Sequence, residues 1–224
     1  MKRQLTILGV LFMMVLSINA FAKVDASTAF VPDDLVLGGG LKTLKEQFYK
    51  TTDRQQQTII AKMITKNTEE ARYDVLMDIV TFDLRMADKY GQANSTAPEA
   101  RLIAVEYVAE KKDLKYAETF TSVIKFEREA DIRIAAAKAL GKIGNSDSAK
   151  ILVSLVRFQY NYANFREDNE KMFQDDRVVE AIAQTFGEIG DPLAFPALLE
   201  IVTKQNHRIQ TVDAAWDAMN KLKW

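Results

Sequence analysis

Few residues of this chain have the type and spacing that chemistry needs. There is one histidine, His207, and no cysteine. His207 sits in the polar run KQNHR, with neither a serine nor a carboxylate at the spacing of a nucleophilic triad, and no G-x-S-x-G turn is present to seat a nucleophile. A zinc ion would have to be held by carboxylates, an unusual set for that metal. The glycine run Gly38-Gly39-Gly40 lacks the lysine and the strand context of a phosphate-binding loop. The carboxylate pairs Asp33-Asp34, Glu69-Glu70 and Asp175-Asp176 fall where helices are expected to start, and there they complement the helix dipole. Asp175 and Asp176 together with Glu167-Asp168 do not make the D-x-D-x-D-G loop of a calcium site. The expectation is therefore a protein that is not an enzyme, with no catalytic residue, metal or cofactor.

One segment is suited to recognition. Residues 158–174, FQYNYANFREDNEKMFQ, alternate aromatics with asparagines before a charged stretch. Aromatic side chains supply large contact areas at low entropic cost, so Tyr160, Tyr162, Phe165 and Arg166 are the candidate partner-binding residues. The alternative is that these aromatics extend a helix and pack over the neighbouring hairpin. Lys150, Ser154, Arg157, Glu200 and Lys204 are of mixed sign and read as a solvated helix face.

The elements that must carry these residues are helical. In 132–145, IRIAAAKALGKIGN, Ile132, Ala136, Leu140 and Ile143 recur at helical spacing, and alanines 135–137 let a neighbouring helix approach. Gly141 and Gly144 are expected to end this helix and turn the chain. Ser146, Asp147 and Ser148 are candidate caps for a second helix to about Phe158, with Ile151, Leu152, Leu155 and Val156 buried. The pattern returns 46 positions on: Val178, Ile182, Phe186, Gly187, Ile189 and Gly190 stand opposite Ile132, Ala136, Leu140, Gly141, Ile143 and Gly144, and Asp191-Pro192 opens the next helix. At an offset of 32 upstream, Ala104, Val108 and Ala109 fall into register. Downstream, Ala215, Met219 and Leu222 do the same. A less regular pair spans about 53–66 and 69–89. Since such a hairpin needs about 30–40 residues, the 46-residue interval contains an insert, placed at 159–174.

These motifs, A-x-A-L-G-x-I-G and F-G-E-I-G-D-P-x-x-x-P-A-L-L, resemble the HEAT-like repeats of the phycobilin-lyase type, most strongly over about 129–202 and less over 98–128. The resemblance implies an all-α fold, a right-handed α-solenoid of about four hairpins plus a terminal helix, and a role in binding other macromolecules. The His-Glu pairs of the di-iron relatives are absent, and the repeat signature alone does not carry lyase activity.

Residues 1–22 carry Lys2 and Arg3, an apolar run from Leu5 to Ile18, and Ala20-Phe21-Ala22, the form of a signal peptide cleaved after Ala22. A periplasmic address follows, with no membrane insertion after cleavage. Residues 23–40 read as a flexible tether, with Leu35, Val36 and Leu37 available to cover the first hairpin, and residues 41–224 as the solenoid. Beyond residue 22 there are 28 basic and 31 acidic side chains. That balance, like the address, is wrong for nucleic acid. The expected function is an exported scaffold for a protein partner in the cell envelope; the alternative is a periplasmic carrier or modulator of a small molecule or a peptidoglycan fragment. Trp216 and Trp224 are expected to seal the last hairpin. If the register is right, Leu140→Ala lowers stability by on the order of 2–5 kcal/mol in chemical denaturation; a change near zero means the helix face is misassigned.

Overall fold

The computed structural model describes residues 40–90, 96–163, 175–204 and 207–224. The expected signal peptide, the tether to residue 39, and Phe165 and Arg166 lie outside the described residues. Within the described residues the secondary structure is entirely helical: α1 (Leu41–Lys50), α2 (Arg54–Lys66), α3 (Arg72–Tyr90), α4 (Pro98–Ala109), α5 (Ala117–Phe126), α6 (Ala130–Ile143), α7 (Ser146–Ala163), α8 (Asp176–Ile189), α9 (Phe195–Thr203) and α10 (Ile209–Asn220). Short 3-10 turns, Leu114–Tyr116 and Pro192–Ala194, lead into α5 and α9.

Substantial packing joins each helix only to those one or two places along the chain. Helices α2, α4, α6, α8 and α10 form one layer, each against the next, and α3, α5, α7 and α9 form a second. This is an α-solenoid of four HEAT-like hairpins ending in α10. The hairpins are stacked because none can bury its apolar stripe alone. The seam between the layers is the core, where Ile60, Leu76, Ile79, Ala104, Phe120, Ile132, Leu140, Leu152, Ile182, Phe186, Leu198 and Ala215 are at most 1% exposed.

Local chemistry sets the helix ends. Asp53 accepts from the Gln55 and Gln56 backbone N–H groups at the start of α2, and Asp175 from Arg177 at the start of α8. The cap of α7 is Asn145, whose side chain accepts from Ser148 N at 2.8 Å, rather than one of the three residues after it. Asp191 caps the 3-10 turn Pro192–Ala194, so Asp191-Pro192 opens α9 one turn early. Helix α7 continues to Ala163 instead of ending near Phe158, because no glycine or proline interrupts 159–163. Helix α1, absent from the sequence-based set of hairpins, buries Leu41, Leu44 and Phe48 against α2. Lys45 pairs with Asp78 of α3 at 2.7 Å, and Tyr49 packs on Phe82, so α1 covers the first hairpin.

The paired glycines divide two tasks. Gly144 and Gly190 have φ of 70° and 71° and terminate α6 and α8 as expected. Gly141 and Gly187 do not turn the chain; both lie inside their helices. A Cβ at position 141 would lie 2.7 Å from Thr185 Cγ2, and one at position 187 would lie 3.1 Å from Ala218 Cα. These glycines let the next helix of the first layer come close. Gly141→Ala is expected to destabilise the fold by about 1–2 kcal/mol, overpacking outweighing the helix-propensity gain of roughly 1 kcal/mol. In a Thr185→Ala background the penalty shrinks or changes sign, and a double-mutant cycle from urea denaturation checks it.

Candidate functional site

Two of the four candidate contact residues fall within the described residues. Tyr160 and Tyr162 fall in the last turn of α7, and Phe165 and Arg166 lie outside the described residues. Lys150, Ser154, Arg157 and Lys204 are exposed on the second layer, with Glu200 half-buried. Lys150 pairs with Asp147 at 3.1 Å and Lys204 lies 3.8 Å from Glu200, as befits a solvated face.

Along the edge where second-layer helices return to the first layer, ionisable groups are buried and bonded. Arg101 is 0% exposed. Its Nε and Nη2 donate to the two Glu127 carboxylate oxygens at 3.1 and 3.2 Å, and its Nη1 donates to Asp83 Oδ2 at 2.9 Å and to the Thr96 carbonyl at 2.7 Å. Asp83 also accepts from Thr96 N and Oγ1, and Glu127 Oε1 from the Arg128 and Glu129 N–H groups ahead of α6. Every carboxylate oxygen named is occupied, so this cluster locks three helices and has no free group for catalysis. Thirty-two positions on and in the same register, buried Arg133 donates from Nε to the Ile124 carbonyl at 3.0 Å; burial lowers its guanidinium from the usual value.

His207 belongs to the same edge. Its Nδ1 lies 2.8 Å from Asp176 Oδ1 and its side chain is 8% exposed, while Asp176 Oδ2 accepts from Arg208 N at 2.5 Å. The histidine thus does have an acidic partner, 31 residues away, which spacing in the sequence did not reveal. The pair anchors the segment entering α10 to the start of α8. Thr211 Oγ1 adds a bond to the Asp176 carbonyl at 3.3 Å. Among the described residues no three His, Asp or Glu side chains come together in a metal-holding group.

The opposite edge carries a second polar cluster. Arg72 lies over the Tyr73 ring at 4.4 Å and donates to the Tyr107 hydroxyl at 3.0 Å, and the Tyr73 and Tyr107 rings stack at 5.5 Å. Lys111 bonds Glu70, Lys142 bonds Glu110, and Tyr116 Oη donates to Asp74 at 2.8 Å. Burial, above its hydrogen bonds, pushes the Tyr116 phenol up to about 12. The Tyr116 hydroxyl, then Lys115, hold the Asp74 carboxyl below its usual range. Arg177 does the same for Asp175, and Ser146, bonded to Asp191 at 2.6 Å, for Asp191.

The remaining surface feature is the outer side of α10. Trp216 is 52% exposed and Ile209 65%, one heptad apart on the same face. Trp216 does not seal the last hairpin, because Thr211, Ala215, Met219 and Leu222 occupy the buried stripe and place residue 216 outside it. Trp224 is 82% exposed although its ring meets Phe195 edge-on at 5.4 Å. A groove of about 510 Å³ runs between α8 and α10, lined by Gln184, Glu188, Gln210, Asp213, Asp217 and Lys221 among others.

Two comparisons with known proteins add to this geometry. A family model described as HEAT repeats matches residues 91–160, which span α4 to α7. That match takes in the two hairpins around Arg101 and Arg133. No curated protein matches the chain.

Two outcomes follow. Arg101→Met strands two buried carboxylates and is expected to lower stability by about 3–5 kcal/mol in urea denaturation. For Asp74, Asp175 and Asp191 the folded pKa lies below the unfolded one. Their contribution is present above the unfolded value of about 4 and is lost as pH falls through the folded value. Acid titration of the melting temperature is expected to fall below about pH 4, and less steeply in Asp175→Asn.

Proposed function

We propose that this chain is an exported HEAT-repeat scaffold that binds a protein partner in the cell envelope by surface complementarity, without catalysis. The observation that carries the reading is the outer face of α10, where a tryptophan and an isoleucine stand more than half exposed on a rigid helix. Large apolar side chains held this way have no folding role on the face they occupy, and tryptophan is enriched where proteins bind each other. The buried charges support a scaffold rather than an enzyme, since Arg101, Asp83, Glu127 and Asp176 are taken up in holding helices together. Export rests on residues 1–22, and the periplasm is the compartment their form favours. The phycobilin-lyase subtype rests on the two sequence motifs alone and carries no activity here.

A groove of about 390 Å³ favours a second reading. It lies among α1, α3 and α5 and is lined by Lys45, Asp74, Asp78, Thr81 and Thr119 among others, polar groups suited to a small polar ligand such as a peptidoglycan fragment.

Crosslinking in cells, followed by mass spectrometry on the exported form, tests the first reading. A defined envelope protein is expected, with the mature chain beginning at Lys23. Tyr160→Ser with Tyr162→Ser weakens that crosslink if the insert is part of the contact, and lowers the melting temperature instead if those residues only pack. A thermal shift with cell-wall fragments, and no protein crosslink, would favour the second reading.

A further inference from the structure

The repeat register shows how the outer face of α10 differs from the faces it copies. In α6 and α8 the side that receives the next helix of the first layer is centred on small residues: Ala137 and Gly141 in one, Ala183 and Gly187 in the other, with both alanines fully buried. The positions in register in α10 hold Trp216 and Asn220, both exposed. A sixth helix cannot come down at the spacing the glycines allow, so this face is not simply an unfilled slot for one more identical repeat.

Its charge is also one-sided. Asp213 and Asp217 lie one turn apart on the exposed side, and Glu188 faces them across the groove. None of the three makes an ion pair with a described residue, while Lys221 is the one cation lining the groove. Like charges at i and i+4 repel, and Lys221, four residues after Asp217, offsets the Asp213–Asp217 pair only in part, so with Glu188 the face keeps an excess of negative charge. A cation brought from outside would relieve it. A second copy of this chain would not, because pairing two such faces sets carboxylate against carboxylate.

We infer that the outer face of α10 is the docking site for a basic amphipathic helix of the partner protein, its apolar stripe on Ile209 and Trp216 and its lysines or arginines on Asp213, Asp217 and Glu188. This rests on the partner-binding reading and specifies the partner's chemistry. An amphipathic helix needs exposed apolar area to lie on, which Ile209 and Trp216 supply, and the flanking carboxylates set orientation and disfavour acidic helices.

The test uses the full chain with Trp224→Phe, which leaves Trp216 as the sole tryptophan. The probes are a leucine–lysine amphipathic peptide of about 18 residues, five helical turns, and its leucine–glutamate counterpart. The lysine peptide is expected to shift Trp216 emission to the blue and to bind at least roughly tenfold tighter than the glutamate peptide, with affinity falling as salt rises. Asp213→Asn with Asp217→Asn is expected to remove most of that preference at an unchanged melting temperature. Equal binding of both peptides, or an unaltered preference in the double variant, overturns the inference. In cells, a photocrosslinker replacing Asn220 is expected to capture a segment with basic residues flanking an apolar helical stripe. Capture of residues 1–39 of the same chain, of a second copy, or of an acidic segment overturns it. If the partner is captured only from another face, this site fails while the scaffold reading stands.

Discussion

The structure depends on how closely the helices of the first layer can approach one another. At Gly141 and Gly187 there is no room for a Cβ against the following helix, so the spacing of α6, α8 and α10 is set by the absence of two side chains. Close approach places Ala136, Leu140, Ile182 and Phe186 inside a continuous seam with the second layer, and burial of that seam supplies the main stabilising term. The two edges follow from it. With the chain running up one layer and down the other, turns within hairpins fall on one edge and connections between hairpins on the other. Each edge acquires its own set of polar bonds.

Those bonds have different energetic standing. On the hairpin-turn edge, pairs such as Lys115 with Asp74 are half-exposed or more, and contribute little through any one contact. On the connecting edge, Arg101, Asp83 and Glu127 are almost fully removed from water, so the favourable attraction is set against a large desolvation cost. Such a cluster adds little net stability over an apolar replacement. Its effect is on alternatives: a helix shifted by one turn would strand a buried guanidinium and two carboxylates. Glu127 illustrates the coupling, since the oxygen that meets Arg101 Nη2 also accepts the two N–H groups just before α6. Stacking in a repeat array is permissive about register, and a polar lock at the joint of two hairpins restricts it.

The layer plan and its limits were legible in the sequence because apolar spacing and the G-x-I-G pattern are local signals. Ile132, Leu140, Val178 and Phe186 are buried as the periodicity requires. The role of Gly141 was not legible, since nothing local distinguishes a glycine that turns a chain from one that admits a neighbour; the distinction lies in Thr185, 44 positions away. Helix α1 is hard to read from sequence because its stripe of Leu41, Leu44 and Phe48 follows a glycine run and belongs to no repeat. His207 looked isolated because Asp176 is distant in sequence, and Arg101 drew no notice because a charged residue in an apolar stripe resembles a solvated one. Its recurrence as Arg133 at the same register was the available signal. Tyr160 and Tyr162 lie on α7, as the alternative of an extended helix expects, since no glycine or proline between 159 and 163 stops it.

The outer face of α10 differs from the faces inside the array, and the difference bears on what it binds. Among the described residues, the first-layer faces between α2 and α10 are each matched by a neighbour, and the outer face of α10 is not. Covering that face with a polar set would terminate the stack and nothing more. Here Asn220 takes the place of the glycine at that register position, which blocks continuation at the spacing of α6, α8 and α10, yet Trp216 and Ile209 are kept exposed on the same side. Blocking continuation and keeping apolar area are separate requirements, and a face that meets both is distinguished from a simple cap. Helices α8 and α10 pack on each other as closely as the internal helices do, so the outer face of α10 is presented on a rigid support.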